Sequence, residues 1–332
     1  MTIYDIAKKA GVSITTVSRV LNGKEDVSKK TRQKVETVML ENNYMPSFIA
    51  RSLVADVTKT IGVVVMDVRI PHYANTAYVA EQELSGAGYH VILCNTGNNA
   101  ENVRNYVQDL VVKRVDGIMF VSSTFNMMQE RPEILALLAE TPVVIANGEL
   151  PIPSACSVLV DDARGTELAV QHLFEGGHRD IVHVKSVDKE SARIKQFGYR
   201  SAMEQRGIEG RAYLLDTDYG IKGGRDVVGR LLEDGRVFSA IICDEDLTAI
   251  GVLKQLADTG IQVPGDVAVV GYNNSEYAEI ASPTLTSVDG KGNDCSKLSA
   301  QLLCGLIEKR NHFPPLYIQP ELVVRESSRT KS

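Results

Sequence analysis

The chain has 332 residues, 44% of them hydrophobic, with a mean hydropathy of −0.08 and a formal charge of −6, which exceeds one ordinary domain and supplies ample apolar material for more than one core. No apolar run reaches the roughly 18 residues of a membrane span, and the N-terminus is polar from residue 2 where a signal peptide needs an apolar stretch, so a cytoplasmic protein without a membrane partner is predicted.

The first 22 residues read as two short helices joined by a glycine turn. Thr2 caps the first helix, Asp5 sits where a carboxylate reaches back to the cap, and Ile3, Ile6, Ala7 and Ala10 recur at helical spacing. Gly11 permits a left-handed turn, Val12 fills the elbow, and Ser13 caps a second helix that carries Val17, Val20 and Leu21 inward. The opposite face presents Ile14, Thr15, Thr16, Ser18, Arg19 and Asn22. Short hydroxyls, an apolar side chain and an arginine suit the major groove, where arginine reads guanine and methyl-bearing groups touch thymine. Ser28 starts a third helix with Val35, Val38, Met39 and Tyr44 facing the first two, and that helix gathers Lys29, Lys30, Arg32 and Lys34. Residues 1–58 hold nine basic and six acidic side chains, a net +3, which leaves −9 for the remainder. A basic head on an acidic body is the asymmetry of a phosphate-binding module fused to something that should not bind DNA.

Pro46 pre-sets a helix whose length, barely two turns over 47–54, is marginal alone in water. From Thr60 onward apolar runs at 61–66, 90–94, 117–121, 143–146, 181–184, 240–243 and 267–271 read as buried parallel strands. Amphipathic segments at 75–87, 101–113, 163–176, 192–206, 222–233 and 246–258 alternate with them. This is an α/β chain in which βαβ repetition occurs twice, predicting two doubly wound parallel lobes with a ligand cleft between the strand ends. The five cysteines are scattered and the six histidines dispersed, which argues for reduced packing thiols and against a metal site. No phosphate loop, dinucleotide fingerprint or nucleophile elbow is present, so the residues support neither an enzyme nor a cofactor.

The run Thr2-Ile-Tyr-Asp-Ile-Ala, then Gly11-Val-Ser and Thr16-Val-Ser-Arg-Val-Leu-Asn22, resembles the lactose/galactose repressor (LacI/GalR) family of bacterial transcription regulators, closest in its N-terminal residues to the catabolite-control type. Ser239-Ala-Ile-Ile-Cys-Asp-Glu-Asp-Leu-Thr-Ala-Ile-Gly251 and Gly260-Ile-Gln-Val-Pro-Gly-Asp266 extend the likeness through the core. The resemblance implies an all-α helix-turn-helix head at 1–45, a hinge helix and linker at 46–58, and a periplasmic-binding-protein-like type I core at 59–332. Lobe 1 is expected at about 60–158 plus 287–316 and lobe 2 at about 159–286 plus 317–327, with the chain crossing near 158, 286 and 317.

It further implies DNA contacts from Tyr4, Ser13, Ser28, Lys30 and Thr31, and minor-groove contacts from the hinge, with Leu53 as the wedge, Ala50 at the close helix contact and Arg51 near the backbone. Within Ser191-Ala-Arg-Ile-Lys-Gln-Phe-Gly-Tyr199 it marks Arg193 as the leading effector contact, with Tyr219, Asn273, Asp246, Tyr73, Asn147 and Asp67 around it. Glu245 and Asn273 depart from the family's amide and carboxylate, which widens the expected effector from a sugar to a sugar acid or sugar phosphate, or to a protein corepressor. The implied whole is a repressor of carbohydrate-related genes that binds a palindromic double-stranded operator as a homodimer, pairing along helices 75–87 and 248–258; the alternative, a solute-binding protein of the same core fold, has the basic first 58 residues against it.

Overall fold

The computed structural model describes residues 1–21, 24, 26–42, 44, 57–97, 99–186, 190–208, 212–308 and 313–329. Two compact units emerge, Met1–Lys59 and Thr60–Ser332.

The first unit contains α1 (Ile3–Ala10), α2 (Ile14–Leu21) and α3 (Lys29–Glu41). Helices this short are marginal alone, so their apolar faces must meet. Ile6, Ala7, Ala10, Val17, Val20 and Val35 close a small core, with Ile3, Val12, Leu21, Val38, Met39 and Tyr44 around it.

The second unit has two six-stranded sheets. In one, β11 (Leu316–Ile318), β5 (Ala155–Val160), β4 (Val143–Ala146), β3 (Gly117–Val121), β1 (Thr60–Val65) and β2 (His90–Asn95) lie side by side in that order, all parallel. In the other the order is β12 (Glu321–Val323), β10 (Thr286–Asp289), β9 (Ala268–Tyr272), β8 (Ala240–Cys243), β6 (Ile181–Lys185) and β7 (Tyr213–Asp216). All neighbours here are parallel except β10 and β12, an antiparallel edge pair that the expectation of wholly parallel sheets did not contain.

Lobe 1 carries α4 (Pro71–Gly86), α5 (Ala100–Val112), α6 (Pro132–Leu138) and α12 (Gly292–Ile307). Lobe 2 carries α7 (Asp162–Glu175), α8 (Glu190–Gln205), α9 (Ile221–Glu233), α10 (Asp246–Asp258) and the short α11 (Glu276–Ile280). Each sheet is covered on both faces, so central strands such as β3 and β8 are buried at every position and read as unbroken apolar runs. The α9–α10 contact is backbone-close: a Cβ on Gly224 would stand 2.0 Å from the Thr248 carbonyl oxygen, and one on Gly251 2.1 Å from that of Ile221.

The chain passes between sheets after Val160, Asp289 and Ile318, so the expected crossings at 158, 286 and 317 fall inside β5, β10 and β11. β10 escaped the apolar pattern because two of its three buried residues carry hydroxyls: Thr286 Oγ1 donates to the Arg325 carbonyl (3.1 Å) and Ser287 Oγ to Asp246 Oδ1 (2.6 Å), with Val288 the third. A hydroxyl so satisfied can be buried at little cost.

Candidate functional site

The head is built by its caps. The Asp5 amide donates to Thr2 Oγ1 (3.4 Å) and the Thr2 amide returns to Asp5 Oδ2 (2.8 Å), a reciprocal box that holds the Asp5 carboxyl below its ordinary range. Gly11 ends α1 at φ 60°, a left-handed conformation open to glycine, and its amide reaches back to the Ala7 and Lys8 carbonyls. The Thr16 amide then donates to Ser13 Oγ (3.1 Å), starting α2 one short turn later, and the Thr31 amide donates to Ser28 Oγ (3.2 Å) to start α3.

With Val17 and Val20 buried, α2 turns Ser13, Ile14, Thr15 and Arg19 to solvent and leaves Thr16 and Ser18 half-buried. Tyr4 and Lys30 are exposed and Thr31 is half-buried. Arg32, grouped in the sequence with the basic residues of α3, instead donates its guanidinium to the carbonyls of Val20 (3.4 Å) and Lys24 (2.6 Å) and so ties the C-terminal end of α2 to α3. Asn22, Ala50, Arg51, Leu53 and the expected hinge helix lie outside the described residues.

In the second unit the C-terminal ends of both sheets face one cleft that opens to solvent. Lobe 1 contributes Tyr73, Ser122 and Asn147, and lobe 2 contributes Asp162, Lys195, Glu245, Tyr272 and Asn273. The lobes touch directly: Asn147 Nδ2 donates to Asp162 Oδ2 (3.1 Å) and the Ser191 amide donates to Ser123 Oγ (3.1 Å). Within lobe 2 the Tyr272 hydroxyl donates to Asp162 Oδ1 (2.7 Å).

Lys195 brings a cation into the cleft. It is 6% exposed, its ammonium lies 3.5 Å from the centroid of the Tyr272 ring, and it donates to the Asp244 carbonyl (3.1 Å). Beneath it Asp244 Oδ1 lies 2.9 Å from Nε2 of the buried His183, whose ring stacks on Tyr199 at 5.1 Å. Arg193, two residues earlier on α8, stands instead at a second, outer opening between the lobes, its side chain 62% exposed and 3.8 Å from Glu190.

Three more expected contacts are placed differently. Asp67 bonds to Arg69 (2.6 Å), an interaction that holds its carboxyl below the ordinary range, and it is not among the residues lining the cleft. Tyr219 lines a shallow adjoining pocket with His72, Asn273 and Tyr277. Asp246 lies at that pocket too, but its carboxylate is consumed structurally. Oδ2 accepts from the amide and hydroxyl of Ser275 (both 2.7 Å) and Oδ1 from Ser287, while burial pushes its carboxyl up to about 6. The Glu245 and Asn273 departures form a matched pair, for the Asn273 amide donates to the Glu245 carboxylate. Among the described residues no group of three His, Cys, Asp or Glu side chains could hold a metal, and no helix is long and apolar enough to cross a membrane.

A capped three-helix head with a polar exposed face on its second helix, followed by a two-sheet core with a cleft at the strand ends, defines a DNA-binding regulator of the helix-turn-helix class. Residues 2–47 match the model of bacterial regulatory proteins of the lacI family and residues 170–328 that of the periplasmic binding protein-like domain. The chain is 36% identical to an HTH-type transcriptional regulator of Lachnoclostridium phytofermentans and 31% identical to the HTH-type transcriptional repressor PurR of Histophilus somni, covering 99% of both chains in each case. Among solved structures it is similar to the Lac repressor dimer bound to operator and the anti-inducer ONPF, with 25% identity, 99% of each chain covered and a TM-score of 0.89. It is also similar to the transcriptional regulator CelR–cellobiose complex, with 29% identity, 98% of this chain and 99% of that one covered, and a TM-score of 0.72. The chain belongs to the LacI family of transcriptional regulators, and its relatives are regulators rather than enzymes.

Proposed function

We propose that this regulator represses carbohydrate-related genes, gripping a palindromic operator as a homodimer and responding to an uncharged sugar in the cleft between its lobes. The observation that carries the effector reading is the lining itself. Asp162, already accepting from Asn147 and Tyr272, and Glu245, accepting from Asn273, keep further lone pairs for hydroxyl donors, Lys195 offers a donor, and Tyr73 and Tyr272 supply aromatic walls. Two carboxylates against one buried ammonium make an acidic cavity, which disfavours the sugar acids and sugar phosphates admitted on sequence grounds. The similar CelR structure holds cellobiose, and the similar Lac repressor structure is a dimer on its operator, which supports the same arrangement here.

For the DNA, Arg19 takes the base-reading role and Ile14 and Thr15 contact base edges, while Ser13, Ser28, Lys30 and Thr31 meet phosphates and Tyr4 flanks them. Self-association draws support from the edge of lobe 1, where Tyr78 on α4 and Leu93 on β2 stay exposed beside Val68, Ala74 and Val91. The domain reading is a head at 1–45, a linking segment at 46–58 and a core at 59–332.

Two measurements test the proposal together. Selection from a random duplex library with the full chain should enrich two-fold symmetric sites. Thermal unfolding of the full chain should shift upward with a neutral mono- or disaccharide, since a ligand at 100 times its Kd adds about 2.7 kcal/mol. Enrichment of asymmetric sequences sinks the dimeric operator reading; stabilisation by phosphorylated but not neutral sugars sinks the effector reading.

A further inference from the structure

Arg19, on the exposed face of α2, is paired through Nη1 with Asp26 Oδ2 at 3.1 Å, and both side chains are more than half exposed, at 55% and 56%. Such a solvent-facing pair adds well under about 1 kcal/mol to folding, so stability does not explain a carboxylate held on a surface that must approach phosphates. The chain just ahead of it is nonetheless held. The Lys24 amide donates to the Arg19 carbonyl (3.0 Å), and Arg32 clamps the Lys24 carbonyl (2.6 Å), which pins Lys24, two residues before Asp26, against the end of the reading helix.

We propose that Asp26 is a specificity-determining residue that positions Arg19 for a base and penalises its use on phosphates. This rests on the reading of Arg19 as the base contact. A guanidinium has two donor edges. With Nη1 turned to Asp26, the edge formed by Nε and Nη2 is left to reach the O6 and N7 of a guanine without breaking the pair. On a duplex without that guanine, Arg19 gains most by swinging to a phosphate. That movement separates the pair and leaves a bare carboxylate beside the DNA backbone, so the cost falls on non-specific contact while base contact is spared.

The test uses the full chain, the duplex most enriched from a random library by the wild type, and a scramble of the same composition, read by fluorescence anisotropy across a potassium chloride series. Asp26→Asn should raise affinity for the scramble several-fold, steepen its logarithmic salt dependence by about one unit, and lower the specific-to-scramble ratio about tenfold. Asp26→Glu, which keeps the charge within reach, should restore most of that ratio. In an Arg19→Ala background, Asp26→Asn should no longer change the ratio. An unchanged ratio for Asp26→Asn, or an equal fall when Arg19 is absent, overturns the proposal. Arg19→Ala alone leaving the ratio intact overturns instead the assignment of Arg19 as the base contact.

Discussion

Substituting Asp246 by asparagine should flatten a slope in the stability of this protein against pH. Burial raises the Asp246 carboxyl from an ordinary 3.8 to about 6, partly offset by its bonds to Ser287 and Ser275 and reinforced by the neighbouring Glu245 carboxylate. The folded protein therefore holds a proton at this site between about pH 4 and 6 that the unfolded chain has released. Because the native state binds the extra proton, stability falls as pH rises through that window. The contribution is complete below about pH 4 and gone above about 6, a change of about 3 kcal/mol for a shift of about two units. The carboxamide introduced by Asp246→Asn cannot titrate, yet it keeps an oxygen that can accept from Ser275 or Ser287. Urea unfolding at pH 4, 5, 6 and 7 should show the wild-type advantage over Asp246→Asn shrinking by about 3 kcal/mol across the series. Parallel profiles for the two proteins would refute the placement of this carboxylate in a closed hydrogen-bond ring and return it to the solvent-facing wall of the cleft.

Further outcomes follow from other contacts. Arg19→Ala should cost a selected duplex about 1–3 kcal/mol, whereas Lys30→Ala should weaken all duplexes alike, as parallel anisotropy titrations would show. Arg32→Met removes the tie on the Val20 and Lys24 carbonyls, so amide exchange over residues 14–21 should accelerate by tenfold or more, about 1.4 kcal/mol, while the strands of the core keep their protection. Lys195→Met should abolish the thermal shift given by a stabilising saccharide, and Arg193→Ala should leave it within twofold in apparent Kd. Gly251→Ala should destabilise the core by about 1–3 kcal/mol in urea, because its new methyl meets the Ile221 backbone rather than a side chain that can rotate away.

The head and most of the core were legible because their signals are local. Caps at Thr2, Ser13 and Ser28, the turn at Gly11 and helical apolar spacing all act within a few residues, and central parallel strands announce themselves as continuous apolar runs. What the apolar pattern missed depends on partners distant in sequence. β5 (155–160), β7 (213–216), β10 and the two C-terminal strands are short or carry polar residues satisfied from elsewhere, as Thr286 is by Arg325 and Ser287 by Asp246.

The cleft was legible in position and less so in its residues. Arg193 and Lys195 belong to the same motif, but two residues on a helix are about 200° apart, so only one enters the cavity, and a motif without a phase does not say which. Asp246 and Glu245 are adjacent carboxylates with different fates, one closed into a serine ring and one at the wall beside Asn273. That difference arises from Ser275, ahead of α11, and from Ser287 on β10, the strand the apolar pattern missed.

The most direct measurement is the affinity of the full chain for its selected duplex with and without a saccharide that raises its melting temperature. If cleft and head are coupled, saturating saccharide changes that affinity at least fivefold, and saturating duplex changes the saccharide's Kd by the same factor. A saccharide that binds and stabilises the protein while leaving the affinity for duplex untouched would contradict the account.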